Sequence, residues 1–194
     1  MAFATITQLK TALVRGARAN LFEIEVGFPT ALSTATNTAS NGATDSLKLL
    51  CKSGSVPGFT IGTIEVPYKA GRRIKIPGDR TFADWSITVI NDEDHKLRRA
   101  FTSWVNLISK SNYDSATKST AQDYYKDIIV SQLNGDGAVI RKYKLNDAYP
   151  TDVGALDLSF DSTDTISEFT VNFQYHHMQA ANGTTAFSTT TDLA

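Results

Sequence analysis

The stretch GDRTFADWSITVINDEDHKLRRAFTSW, residues 78–104, contains a change in the spacing of its apolar residues. In WSITVI apolar and polar residues alternate, which is the period of a strand and places Trp85, Ile87 and Val89 on one face. In the following KLRRAFTSWVNLI the apolar residues have helical spacing: Leu97, Ala100, Phe101, Trp104, Val105 and Ile108. We therefore predict a strand followed by a helix, with Trp85, Phe101 and Trp104 in the core between them.

The acidic run that follows this strand lies at the start of the predicted helix. The first backbone amides of a helix have no partner within the helix. We predict that the Asn91 side chain accepts hydrogen bonds from those amides, and that the three carboxylates of residues 92–94 lie against the positive end of the helix dipole. Each such placement is worth about 0.3 to 1 kcal/mol. A catalytic pair of Asp94 and His95 is the weaker hypothesis, because adjacent helical side chains point about 100° apart and no nucleophile motif accompanies them. A metal site here lacks the usual ligand spacings.

Composition predicts one soluble domain, and no cofactor is expected. The 194 residues are 41% hydrophobic and carry a formal net charge of -1, which gives no overall field to hold a polyanion. The single Cys51 excludes an internal disulfide and a thiolate zinc site, and no apolar run is long enough to span a membrane. We expect the domain to cover residues 1–178, with 27–45 as an exposed loop or insertion and 179–194 as a flexible C-terminal tail.

Short alternating runs predict that most of the remaining chain is strand. We expect strands at NLFEIEV, LKLLCK, FTIGTIEV and RRIKI, separated by turns that contain Pro57, Pro67 and Pro77-Gly78. YKDIIVSQL and AVIRKYKL are predicted to pair across Asn134-Gly135, and ALDLSF is predicted to pair with TISEFTVNFQYHH. A short N-terminal helix is expected around Ile6, Leu9 and Leu13. The fold class is therefore mainly β with one flanking helix, an antiparallel sandwich or half-barrel.

One local basic patch lies between two of these strands. It consists of Lys69, Arg72, Arg73 and Lys75 and follows Tyr68. No series of aromatic residues accompanies the patch, so we favour protection of a strand edge or a subunit contact over nucleic-acid binding.

Several segments resemble the tail tube proteins of contractile-tailed bacteriophages, a family related to the tube proteins of tailocins and type VI secretion systems. The resemblance is carried by residues 74–104, by NLFEIEV, by Cys51-Lys52 with Val56-Pro57, and by YPTDVGALDLSFDSTDTISEFTVNF. Its most specific residues are Gly78, Asp79, Arg80, Thr81, Phe82 and Trp85, together with Tyr149, Pro150 and Thr151.

The resemblance implies a structural protein and not an enzyme. Six copies would close into a ring whose inner sheets merge into one barrel, and rings would stack into a tube that conducts the genome. It further implies a virion tail assembled in the cytoplasm of the bacterial host. The implied partners are a sheath protein, a tape-measure protein, a baseplate hub and a tail terminator, and DNA would pass without specific binding.

On this interpretation the last long strand lines the lumen. Its polar face is predicted to consist of Glu168, Thr170, Asn172 and Gln174. Ring-to-ring contacts are expected within 66–76 or 27–45. Two alternatives remain open from the residues alone, namely an all-β ligand-binding or adhesion module that acts through its long loops, and a hydrolase that uses Asp94 and His95.

Overall fold

An antiparallel sheet with helices packed on one side dominates the computed structural model, which describes residues 6, 7, 10, 16–33, 42–109 and 121–187. The strands within these residues are β1 (Phe22–Val26), β2 (Cys51–Gly54), β3 (Phe59–Tyr68), β4 (Arg72–Phe82), β5 (Trp85–Ile90), β6 (Lys126–Leu133), β7 (Val139–Val153), β8 (Glu168–Gln174) and β9 (His177–Asn182). The helices are α1 (Ala43–Leu50), α2 (Lys96–Ile108) and the single turn α3 (Ala121–Tyr124).

The main sheet has the strand order β1-β6-β7-β8-β5-β2, and β9 pairs with β7. The sheet has two halves that share the 15-residue β7. The first part of β7 pairs with β6 and β9 in one half, and its last part pairs with β8 in the other half. Between the two parts Asp147 has a φ of 54°, a local irregularity of the kind that bends a strand. The predicted class, mainly β and antiparallel with a flanking helix, is confirmed.

The core lies between the sheet and the helices. Trp85, Phe101, Trp104 and Phe173 are fully buried, and the Trp85 and Phe173 rings lie 5.7 Å apart. Both indole N–H groups donate to backbone carbonyls, Trp85 to Ser55 at 2.7 Å and Trp104 to Tyr124 at 2.9 Å. The large apolar rings are therefore buried without an unpaired donor.

The change from strand to helix spacing is confirmed as β5 followed by α2, but the predicted cap is wrong. The helix begins at Lys96, and the backbone N–H of Lys96 donates to Asp92 Oδ1 at 2.9 Å. The side-chain oxygen of Asn91 accepts no hydrogen bond from any described residue. Its Nδ2 contacts His95 Nδ1 at 3.0 Å, and its backbone N–H donates to the Ser167 carbonyl. The side-chain acceptor at the start of the helix is therefore Asp92, although the N-cap position itself is His95.

The segment predicted as the strand LKLLCK is instead the end of α1 followed by β2. Ala43 and Leu47 have helical i, i+4 spacing and are fully buried, whereas Leu49 is 85% exposed. Lys48 also lies 3.4 Å and 3.7 Å from carboxylate oxygens of Glu23 and Glu25 on β1. The alternation of leucines in this stretch is compatible with either period, and packing against β1 selects the helix.

The predicted exposed loop 27–45 is wrong at both ends. The Phe28 ring lies 5.2 Å from Phe101 and 5.7 Å from Trp104, and Leu32 is 3% exposed. At the other end Ala43 opens α1 and is buried. Residues 34–41 lie outside the described part of the chain.

The hairpin predicted across Asn134 is confirmed as β6 and β7, whereas the second predicted hairpin is wrong. Residues 154–167 contain no strand, and β8 pairs with β5 on one side and β7 on the other. Both edges of β8 are thus occupied, so ALDLSF has no edge to join.

The two ends of the chain also differ in part from expectation. The predicted C-terminal tail begins too early, because residues 179–182 belong to β9 and pair with β7. In the predicted N-terminal helix Ile6, Thr7 and Lys10 are helical, while Leu9 and Leu13 lie outside the described residues.

Candidate functional site

The sheet half made of β2, β5, β8 and the end of β7 has one apolar and one polar face. Directly paired residues share a face, and Ser86 is opposite Asn172 while Thr88 is opposite Thr170. These side chains lie on the face opposite the buried Trp85 and Phe173. We call this surface the polar face; it includes all four residues proposed from the sequence for a lumen, Glu168, Thr170, Asn172 and Gln174.

Hydrogen-bonding groups of the polar face are largely paired within the chain. Lys52 Nζ lies 2.5 Å from Glu168 Oε1, and Asn172 Nδ2 donates to Asp152 Oδ2 at 3.4 Å. Gln174 Oε1 accepts from the Tyr149 hydroxyl at 2.9 Å. The face is therefore rich in hydroxyl and amide groups, and its cation Lys52 is held by a carboxylate.

A second surface is the two-stranded ribbon of β3 and β4, residues 59–82, which we call the arm. It forms a sheet of its own, every residue of β3 is exposed, and in β4 only Gly78 and Phe82 are partly buried. The prediction that Pro77-Gly78 makes a turn is wrong, because β4 continues through both residues. At Gly78 the two strands approach closely, since a Cβ there would lie 3.2 Å from the Gly62 backbone.

The two faces of the arm differ in chemistry. The cross-strand pairs Ile64–Ile76 and Val66–Ile74 put four aliphatic side chains on one face, each between 41% and 56% exposed. The opposite face carries the ion pair of Arg73 Nη1 with Glu65 Oε2 at 2.7 Å. An exposed cluster of aliphatic side chains is typical of an interaction surface.

The basic residues singled out from the sequence lie at the tip of the arm. Tyr68 and Arg72 are paired directly and share the aliphatic face, whereas Arg73 and Lys75 lie on the charged face and Lys69 lies in the turn. Lys69, Arg72 and Lys75 form no ion pair with any residue that the structure describes.

Residues 79–82 of the family signature form the base of the arm. The Arg80 guanidinium lies 4.5 Å from the Phe59 ring centre, the Thr81 and Thr60 hydroxyls are 2.7 Å apart, and Asp79 is exposed beside Gly62. The Phe82 ring lies 5.5 Å from the Tyr175 ring, which fastens the arm to the end of β8.

Sequence reasoning missed a groove of 270 Å³ at this junction. It is lined by the aromatic side chains of Phe82, Tyr149 and Tyr175 and also by Ala83, Asp84, Gln174 and His176. Burial, and secondly the negative charge of Asp84, raise the pKa of the Tyr175 hydroxyl above its usual range. The sequence contained one indication of the groove: Phe82 and Tyr149-Pro150 both belong to the most specific segments of the family resemblance. These segments are more than 60 positions apart, so the sequence did not show that they meet.

Other candidate chemical groups are not brought together. Asp94 and His95 are exposed, and His95 occupies a left-handed backbone conformation just before α2. Burial raises the pKa of the Cys51 thiol to about 11. The described ranges contain no group of three or more His, Cys, Asp or Glu residues suited to hold a metal ion. None of the helices in the described part of the chain is both long and apolar enough to cross a membrane.

Comparisons with known proteins agree on one family. A family model for phage tail tube protein matches residues 17–180. The chain is 31% identical over 156 residues to tail tube protein gp19 of Enterobacteria phage T4, which covers 80% of this chain and 86% of that protein. It is 26% identical over 175 residues to the tail tube protein of Serratia phage KSP90, covering 89% and 94%.

Two solved structures have a similar fold at 16% identity. One is the tube-terminating cap of the anti-feeding prophage, with a TM-score of 0.61 and coverage of 86% of this chain and 91% of that one. The other comes from the sheath-tube complex of an extracellular contractile injection system, with a TM-score of 0.57 and coverage of 93% and 99%.

Proposed function

The chain belongs to the phage tail tube protein family, and on that premise we propose that its copies join into hexameric rings that stack into a hollow tube. The phage genome passes through this tube during infection. The family is a structural one, which is consistent with a chain that is not an enzyme. The function of the protein then depends on contacts between subunit surfaces and not on an active site.

The observation that carries the proposal is a sheet half with one buried face, one polar face and an open edge. Within the described residues β2 pairs only with β5, so its outer backbone groups are available to a neighbouring chain. Joining such sheets edge to edge around a ring turns the polar face toward one enclosed space. This supports Glu168, Thr170, Asn172 and Gln174 as lumen residues.

The electrostatics of the polar face suit passage of a polyanion. Free cations in a channel would bind phosphates and slow the movement of DNA. Hydroxyls and amides predominate on this face, and the carboxylate of Glu168 neutralises Lys52. DNA therefore meets a surface that offers little lasting attachment.

The arm supports contacts between copies of the chain. Its aliphatic face, formed by Ile64, Val66, Ile74 and Ile76, is exposed and extends away from the sheet. A second subunit is the cover that a repeating assembly provides. Tyr68, Lys69, Arg72, Arg73 and Lys75 at the tip are the proposed contact residues.

The remaining partners follow from this role. We propose a sheath protein outside the tube and a terminator at its end, supported by the sheath-tube and cap assemblies from which similar folds come. A tape-measure protein inside the tube and a baseplate hub at its origin complete the set, and the virion tail is the site of action.

Assembly is tested by negative-stain microscopy of the purified protein, which is expected to show sixfold rings or tubes. A strictly monomeric species at high concentration would contradict the proposal. The lumen assignment has its own test in Thr170→Lys, which is expected to leave rings intact but to impair genome delivery because it adds an unpaired cation. The matched control is Thr102→Lys on the exposed side of α2. Normal infectivity with fully assembled lysine-lined tubes would remove the lumen assignment.

A further inference from the structure

The groove at the base of the arm has the chemistry of a binding site for a single cationic side chain. Its 270 Å³ lies below the roughly 300 to 1,000 Å³ of typical small-molecule pockets. The aromatic side chains of Phe82, Tyr149 and Tyr175 line the groove together with Asp84. Aromatic faces and a carboxylate together favour a guanidinium or ammonium group.

We propose that this groove receives the arm tip of a second copy of the chain, with Arg72 entering the groove and Tyr68 packing at its edge. This inference rests on the proposed function, in which copies stack into a tube, and it assigns the two surfaces that meet. The occupant is therefore another subunit and not a small molecule.

Charge and shape are complementary between the two surfaces. Neither Arg72 nor Asp84 forms an ion pair with any described residue, so each has an unused charge. A planar guanidinium stacks on aromatic rings and binds a carboxylate through two hydrogen bonds. Because Arg72 shares the aliphatic face of the arm, its entry into the groove also presses Val66 and Ile74 against the same neighbour.

In a stack of rings the proposed contact is head-to-tail, with the arm tip of each subunit in the groove of a subunit of the next ring. The tip and the groove lie at opposite ends of the arm, and the ten residues of β3 span about 33 Å at the rise of a strand. A chain therefore does not fill its own groove. A contact between two different patches that does not close on itself generates an open polymer, which is the symmetry of stacked rings.

The first test exchanges the charges. Arg72→Glu and Asp84→Arg, each made in the full chain, are expected to form rings but to reduce the amount of sedimenting tube at least tenfold, since each variant places two like charges together at the contact. The double variant restores the pair in the opposite sense and is expected to recover tubes. The matched control is Arg99→Glu, an exposed basic residue on α2 and away from the arm, and it is expected to assemble as the wild type does.

The inference is overturned if either single variant stacks normally, if the double variant is no better than the singles, or if Arg99→Glu is equally defective. Circular dichroism of each variant establishes that it is folded. Wild-type protein that forms neither rings nor tubes contradicts the proposed function itself, whereas wild-type tubes with normally stacking single variants contradict only the groove assignment.

A second test does not depend on charge. A chain carrying Arg72→Cys and Asp84→Cys cannot close a disulfide within itself, because the two positions are separated by the length of the arm and a disulfide requires Cα atoms within about 7 Å. Mild oxidation of its tubes is expected to give a ladder of dimers, trimers and longer species on a non-reducing gel. Assembled tubes that remain unlinked, or an equal ladder from the Arg99→Cys, Asp84→Cys chain, would contradict the proposed contact.

Discussion

Replacing Trp104 by alanine is the change that most directly tests the packing of α2 on the sheet. Trp104 is fully buried, and its ring centre lies 5.7 Å from that of Phe28 and 6.3 Å from that of Phe173. Its Nε1–H donates to the Tyr124 carbonyl at 2.9 Å. The substitution therefore removes both an aromatic contact network and a hydrogen bond that ties α2 to the segment before β6.

The expected loss is at the upper end of the range for a core aromatic residue. Truncating a buried tryptophan costs about 3 to 5 kcal/mol, and the unpaired Tyr124 carbonyl adds to the loss of packing. Trp104→Phe retains most of the ring contacts and is expected to cost about 1 to 3 kcal/mol, mainly for the hydrogen bond. Since the whole domain is stable by about 5 to 15 kcal/mol, the alanine variant is strongly destabilised.

Urea unfolding of the unassembled subunit measures these losses. The chain has two tryptophans, so Trp85 remains as the fluorescence reporter in both variants, with circular dichroism as a second probe. At a slope of roughly 2 kcal/mol per molar urea, the alanine variant is expected to lower the midpoint by about 2 M. Thr102→Ala on the exposed side of the same helix is the matched control, with an expected change within about 0.5 kcal/mol. An unchanged midpoint for Trp104→Ala would refute the assignment of this side chain to the core.

Three further outcomes are expected from the described contacts. Gly154→Ala places a Cβ 3.0 Å from the Thr170 carbonyl oxygen and is expected to lower stability by about 1 to 3 kcal/mol, whereas Gly58→Ala, which has open space, is the neutral control in the same thermal melt. Asp92→Ala removes the acceptor of the first α2 amide and is expected to cost about 1 kcal/mol by urea unfolding; no loss would argue against Asp92 as this acceptor. Because burial raises the pKa of Cys51 from 9.0 to about 11, iodoacetamide at pH 8 is expected to label it about a hundredfold more slowly in the native protein than in urea, and equal rates by mass spectrometry would contradict this.

The junction from β5 to α2 was predictable from sequence because its signal is local and long. Six strand residues and thirteen helix residues each repeat their apolar side chains at one period, and no other period fits. The hairpin of β6 and β7 was predictable for a similar reason, since both strands alternate and a short turn joins them. Shorter runs such as residues 47–52 fit two periods, and there the sequence was misread.

The pairing of strands that are distant in sequence could not be predicted from the local pattern of apolar residues. ALDLSF alternates as a strand does, yet β8 already has β5 and β7 at its two edges. The groove could not be predicted for the same reason. Phe82, Tyr149 and Tyr175 become neighbours only when the end of β4 meets the ends of β7 and β8.

The sequence by itself determined which side chains of each strand are apolar and which are polar, because alternation along an extended backbone needs no other part of the chain. Only the tertiary structure decided that β3 and β4 leave the main sheet as an arm with one uncovered aliphatic face. Their alternation is as regular as that of a core strand, and burial depends on which surfaces approach one another in space.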